Sequence, residues 1–118
     1  MQLQKKKYIQ ILKIELDDLE ADIELLMNEC IQKGEKQQIT KYVLLENLAV
    51  LKNEMSGIEH FKKILDEMNT DEYPDINNLV NEIDKKFKAY IERGGLVKAV
   101  YLMVERKLHK VLKYVKTE

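Results

Sequence analysis

The sequence contains few of the residues that interrupt helices. Its 118 residues include one proline, four glycines and no tryptophan, so strong turn signals are scarce. Hydrophobic residues make up 45% of the chain and charged residues 35%. This composition favours long helices and supplies enough apolar surface for one hydrophobic core. We therefore expect a single helical domain that spans residues 1–118.

Other absences narrow the possible functions. Cys30 is the only cysteine, so no intramolecular disulfide forms, and we expect a reducing, cytoplasmic location. The formal net charge is −1, which removes the usual electrostatic reason to expect a nucleic-acid partner. Lys13 and Glu15 interrupt the apolar stretch near the N-terminus, so we expect neither a signal peptide nor a membrane partner. No motif points to a cofactor, a metal or a small-molecule substrate.

Apolar residues recur at helical spacing along the whole chain, and no strand pattern competes. Short connections between helices indicate antiparallel neighbours. The predicted fold is all-α, an antiparallel up-down-up-down four-helix bundle whose first two helices are longer than the last two. The predicted helices cover about residues 3–33, 40–68, 75–93 and 96–116.

Several residues define the predicted helix ends. Gly34 interrupts the first pattern, and Thr40 and Asp75 are suited to cap the second and third helices. Pro74 lies in the connection between those two helices, because proline cannot lie inside a helix. The stripes predicted to be buried in the first two helices are Tyr8, Leu12, Leu16, Leu19, Ile23, Leu26 and Cys30, then Leu44, Leu48, Leu51, Met55, Ile58 and Leu65.

Two features exceed what a minimal bundle needs. The first helix carries a second apolar stripe, and the longer helices should extend past the shorter ones near their connection, where "YVLLENLAV" is apolar almost all round. Exposed apolar surface of this kind indicates a partner. We therefore expect a non-enzymatic protein that acts through protein–protein contact, as a homodimer. The predicted interaction surface is Ile11, Ile14, Leu25, Val43, Leu45, Leu48 and Ala49.

His60 suggests an alternative function. Helical phase places it on the outside of the second helix, and Lys63 follows three residues later. This arrangement is similar to histidine phosphotransfer domains, where lysine follows the histidine at three residues and glycine at four. The resemblance implies phosphoryl transfer, with His60 as acceptor and Lys63 stabilising the phosphate charge. Ile64 stands at the glycine position.

A second alternative is a metal-dependent nucleotide hydrolase. Glu15, Asp18 and Asp22 share one face of the first helix, and carboxylates on one face are the ligands that Mg²⁺ prefers. This face resembles half of the acidic motif of all-helical nucleotide pyrophosphohydrolases of the MazG type. The companion Glu-x-x-Glu of that family is absent from the chain.

Overall fold

All regular structure in the protein is helical within residues 2–94 and 98–117, which are the residues that the computed structural model describes. The all-α prediction is confirmed, and the described helix ends lie within two residues of the predicted ones. The predicted start of the last helix at residue 96 lies outside the described residues. The elements are α1 (Gln2–Glu35), α2 (Lys41–Glu67), a short 3-10 turn (Thr70–Glu72), α3 (Ile76–Gly94) and α4 (Lys98–Thr117).

Both predicted N-terminal caps are confirmed. The Thr40 hydroxyl accepts a hydrogen bond from the Val43 amide at 3.1 Å, and the Asp75 carboxylate accepts one from the Asn78 amide at 2.9 Å. Gly34, however, does not end α1, because the helix continues to Glu35. The left-handed residue of the connection is Gln37, with φ of 60°.

Helices α1 and α2 run antiparallel. Lys13 pairs with Asp66 at 2.5 Å and Glu20 with Lys62 at 2.6 Å, so residue numbers rise along α1 as they fall along α2. These two helices contain 34 and 27 residues, and α3 and α4 contain 19 and 20. In addition, α1 packs against α4, α2 against α3, and α3 against α4. The up-down order of all four helices stays a prediction.

The hydrophobic core lies where all four helices meet. Phe61 of α2 stacks on Phe87 of α3 with ring centroids 4.1 Å apart, and the Tyr8 hydroxyl of α1 donates to the Leu108 carbonyl of α4 at 3.0 Å. Burial raises the pKa of the Tyr8 hydroxyl. Fully buried side chains of the core include Tyr8, Leu12, Leu16, Ile58, Phe61, Leu79, Ile83, Phe87 and Val104.

A buried lysine fixes the connection between α2 and α3. Lys5 is 5% exposed, and its ammonium group donates to the main-chain carbonyl oxygens of Thr70 and Tyr73. Hydrogen bonds to a charged group are stronger than neutral ones. They therefore hold this loop against the N-terminal end of α1.

The molecule is elongated. Its principal extents are 55 × 30 × 19 Å and its radius of gyration is 16.6 Å, against about 13.5 Å for a compact chain of this length. The extra length comes from the α1–α2 hairpin, which continues past the part covered by α3 and α4. No described helix has the length and apolar character needed to cross a membrane.

Candidate functional site

The hairpin tip, residues 24–52, differs from the rest of the molecule in its burial. Cys30 is the one buried side chain in this described segment. Large hydrophobic side chains are exposed along both arms, which is unusual for contiguous surface on a monomer. These exposed residues are Leu25, Leu26, Ile31, Tyr42, Val43, Leu45 and Val50.

The sequence closes this hairpin locally. The Gln38 amide donates to the Lys33 carbonyl at 2.9 Å at the end of α1, and the Thr40 cap begins α2 immediately afterwards. Gly34 allows the arms to approach, because an added Cβ would lie 2.7 Å from a methyl carbon of Leu44. The two arms are therefore held side by side up to the turn.

A groove of about 340 Å³ runs between the arms. Leu26 and Cys30 line it from α1, and Val50 and Leu51 line it from α2. Polar side chains stand beside these apolar ones, namely Glu29, Lys33 and Asn47. The groove therefore combines an apolar floor with a mixed-charge edge, as protein contact surfaces do.

Helical phase relates this groove to the core. Tyr8 precedes Leu26 by eighteen residues, and Val43 precedes Phe61 by eighteen, which is about five turns of α-helix in each case. Leu26 and Val43 thus lie on the faces that Tyr8 presents to α4 and Phe61 presents to α3. In the described structure they are 50% and 37% exposed, whereas Tyr8 and Phe61 are fully buried.

Val50 completes this surface. It follows Val43 by seven residues, about two helical turns, and is 46% exposed. We call Leu26, Val43 and Val50 the groove face. The predicted burial of Leu26 in the stripe of α1 is wrong, because α3 and α4 do not extend to it and it is 50% exposed. The unequal helix lengths, which predict that the first two helices extend past the others, are a signal that applies to Leu26 as well.

The predicted interaction residues do not share one surface. Val43 lies on the groove face, whereas Leu45, two residues later, points about 200° away on α2. Both are exposed, as are Ala49, Ile14 and Leu25. Leu48 is partly buried, and Ile11 is partly buried against the core. The structure therefore divides this set between the tip and the outer side of α1.

His60 lies in a different place from the one that the sequence indicated. It is half-buried rather than fully exposed, and its ring stacks on Tyr90 of α3 with centroids 3.7 Å and planes 10° apart. It lines a cleft of about 410 Å³ with Glu82, Lys86 and other α3 side chains. Lys63 is exposed and is not part of that cleft's lining. The structure does not bring the two residues of the phosphotransfer pattern together there.

The acidic residues on this face of α1 have different environments: one pairs with α4 and two are exposed to solvent. Glu15 pairs with Lys107 at 3.0 Å and Lys110 at 2.9 Å, whereas Asp18 and Asp22 are exposed. Hydrogen bonds from Lys110 and Lys107 hold the pKa of the Glu15 carboxyl below its ordinary value. No group of three His, Cys, Asp or Glu side chains suited to a metal occurs in the part of the chain that the structure describes.

Comparison of the chain with family models, curated proteins and solved structures gives no match.

Proposed function

We propose that the protein is a contact module that binds another protein through the groove face of its hairpin tip. The observation that supports the proposal is the continuity between this face and the core. At one end of the hairpin the face packs against α3 and α4, and five turns away Leu26 and Val43 offer the same apolar surface uncovered.

The proposed partner is helical. Two helices, α3 and α4, cover the face in the body of the bundle, so an amphipathic helix or a helix pair is the shape that fits its continuation. The edge of the groove carries Glu29 and Lys33, which suit a partner with charges of both signs. An apolar centre with a polar rim supplies affinity and orientation respectively.

The proposed role is binding rather than catalysis. The carboxylate of Glu15 is engaged by two lysines, and the His60 ring packs on Tyr90. Both arrangements suit structural roles in the bundle body. We further propose a cytoplasmic location, since the single cysteine of the chain is free and buried.

Site-specific photo-crosslinking in the cells of origin tests this function. A photoreactive amino acid replaces Val43 on the groove face or, as the matched control, Leu45 on the opposite side of the same helix. Both positions are exposed, so neither replacement disturbs the core. We expect covalent protein adducts from position 43 and none from position 45.

A second substitution connects the adduct to the groove. Val50→Asp places a charge in the apolar groove and should abolish the adduct from position 43, while circular dichroism shows an unchanged helix content. Equal adducts from both positions, or none from position 43, would show that the groove face is not a contact surface.

A further inference from the structure

We infer that the cleft between α2 and α3 binds an extended segment of another protein, with a basic side chain at one end of the segment and an acidic side chain at the other. This cleft lies on the bundle body, apart from the groove face. Val50 precedes His60 by ten residues on α2, which is about 15 Å of helix. The inference therefore goes beyond the proposed function and is tested separately.

The cleft is held open by contacts on two sides. His60 of α2 stacks on Tyr90 of α3, which fixes the separation of the two helices beside the cleft. The connection between α2 and α3 closes one end, and Lys5 holds that connection through the carbonyl oxygens of Thr70 and Tyr73. The cleft volume of about 410 Å³ falls within the range of ligand sites. A preformed surface of this kind reduces the entropic cost of binding.

The charged side chains at the two ends of the cleft have opposite signs. Glu67 is the last residue of α2, so it lies at the end that the connection closes. Glu72 and Glu82 lie at that end too, since burial and the carboxylates of Glu82 and Glu72 raise the pKa of the Tyr73 hydroxyl. Arg93 lines the opposite end. It follows Glu82 by eleven residues on α3, which is about 16 Å.

Most of these charges are available to a ligand. Elsewhere in the bundle body, opposite charges on neighbouring helices pair, as Lys62 of α2 does with Glu20 of α1 at 2.6 Å. Among the residues that the structure describes, no such pair joins α2 to α3 across the cleft, and Glu82 pairs only with Lys86 of its own helix, at 4.0 Å. A ligand with both signs of charge satisfies both ends of the cleft, whereas a ligand with one sign is repelled by one of them.

The length and the rest of the lining favour an extended peptide. An extended chain advances about 3.3 Å per residue, so a separation of about 16 Å between the two ends corresponds to four or five residues. Lys85 and Lys86 lie between the ends and can donate to main-chain carbonyl oxygens, and Asn69 can donate and accept. Ile64 and Ala89 supply apolar contacts. The lining therefore suits a main chain that carries one charge near each end.

NMR titration of the full chain tests the inference. The probe is a pentapeptide with blocked termini, which has lysine at one end, glutamate at the other and three serines between them. We expect it to shift the ring resonances of His60, with a dissociation constant on the order of 0.1–1 mM, because the charge contacts are open to solvent. The same peptide with lysine at both ends, or with glutamate at both ends, should bind about fivefold more weakly.

Charge reversal in the protein tests the assignment of the two ends. Arg93→Glu should weaken binding of the first peptide about tenfold, and it should strengthen binding of the peptide with lysine at both ends, which then meets acidic groups at both ends of the cleft. Lys88→Glu is the matched control, because Lys88 is exposed, does not line the cleft and lies about 140° around α3 from Arg93. Lys88→Glu and Val50→Asp should leave both affinities unchanged.

Three results would overturn the inference. Equal weakening by Arg93→Glu and Lys88→Glu would show that the peptide responds only to net charge. Equal binding of the three peptides, or no shift of the His60 resonances up to about 5 mM peptide, would show that the cleft does not recognise paired charges. Binding of the pentapeptide only when its termini are free would assign the cleft to a free peptide instead of a protein segment. None of these results depends on crosslinking at position 43, so the proposed function is judged separately.

Discussion

The two ends of the α1–α2 hairpin are built from similar residues but have opposite environments. On α2, Phe61 is fully buried against Phe87, while Val43, about five turns away on the same face, is 37% exposed. On α1, Tyr8 is buried and Leu26 is half exposed. The two ends differ because α3 and α4 cover only one of them. An apolar helix face therefore indicates a contact but does not identify the chain that supplies it.

The largest expected effect is a difference in the free energy of unfolding between substitutions at these two ends. Phe61→Ala should lower the free energy of unfolding by about 3–5 kcal/mol, because it leaves a cavity in the core. Val43→Ala, on the same helix face, should change it by no more than about 0.5 kcal/mol. Urea unfolding at about 1 µM protein gives both values.

A large loss from Val43→Ala under these conditions would contradict the comparison, because it would mean that the tip is packed within one chain. A small loss of stability from Phe61→Ala would also contradict the comparison, since the core would then not depend on the contact with α3.

The sequence predicts the helices more accurately than it predicts the contacts between them. Helical periodicity and the Thr40 and Asp75 caps are local properties, and the structure confirms both caps. Phe61 was absent from the predicted stripe of α2, although the spacing Ile58, Phe61, Leu65 is itself helical. Helix α2 packs against both α1 and α3, so its buried face is wider than the single predicted stripe.

The same limit explains the errors at the candidate site. The sequence predicts His60 on the outside of α2 because its phase is far from the apolar stripe, yet α3 approaches from that side and Tyr90 stacks on it. The sequence predicts Leu26 to be buried because its phase matches that of Tyr8, yet Leu26 is 50% exposed. The angular position of a residue around its helix can be derived from one sequence. How far a neighbouring helix extends along that helix depends on tertiary packing.

A smaller effect concerns the ion pairs that join α1 to α4 in the bundle body. The Glu15 side chain is 16% exposed between Lys107 and Lys110. Glu15→Gln should therefore lower the free energy of unfolding at pH 7 by about 1–2 kcal/mol. The matched control Glu24→Gln, at an exposed position of α1 in the hairpin tip, should change it by no more than about 0.5 kcal/mol.

The loss of stability caused by Glu15→Gln should become smaller as the pH falls. The pKa of Glu15 is lowered in the folded state from an ordinary value of 4.5, so its stabilisation is complete above that value. It disappears as the pH falls through the lowered pKa of the folded state. Unfolding measured from pH 7 down to acid should show the wild type and Glu15→Gln converge. A difference that stays constant to the lowest pH would show that the effect is not electrostatic.

The smallest expected effect concerns the turn of the tip. Gly34→Ala gains helix propensity, by less than the about 1 kcal/mol of a helix interior because Gly34 is the next-to-last residue of α1. The new Cβ, however, would lie 2.7 Å from the Leu44 methyl carbon. That methyl is the far end of a flexible, partly buried side chain, so Leu44 should rotate aside and cancel most of the gain. We expect a net change within about 0.5 kcal/mol and a shifted Leu44 methyl resonance. Gln37→Gly, which relieves the left-handed residue at φ 60°, should instead stabilise the turn by about 1 kcal/mol. If Gly34→Ala destabilises the protein by more than about 1.5 kcal/mol, the arms are packed too rigidly there to adjust, and the tip is less open than its exposed side chains indicate.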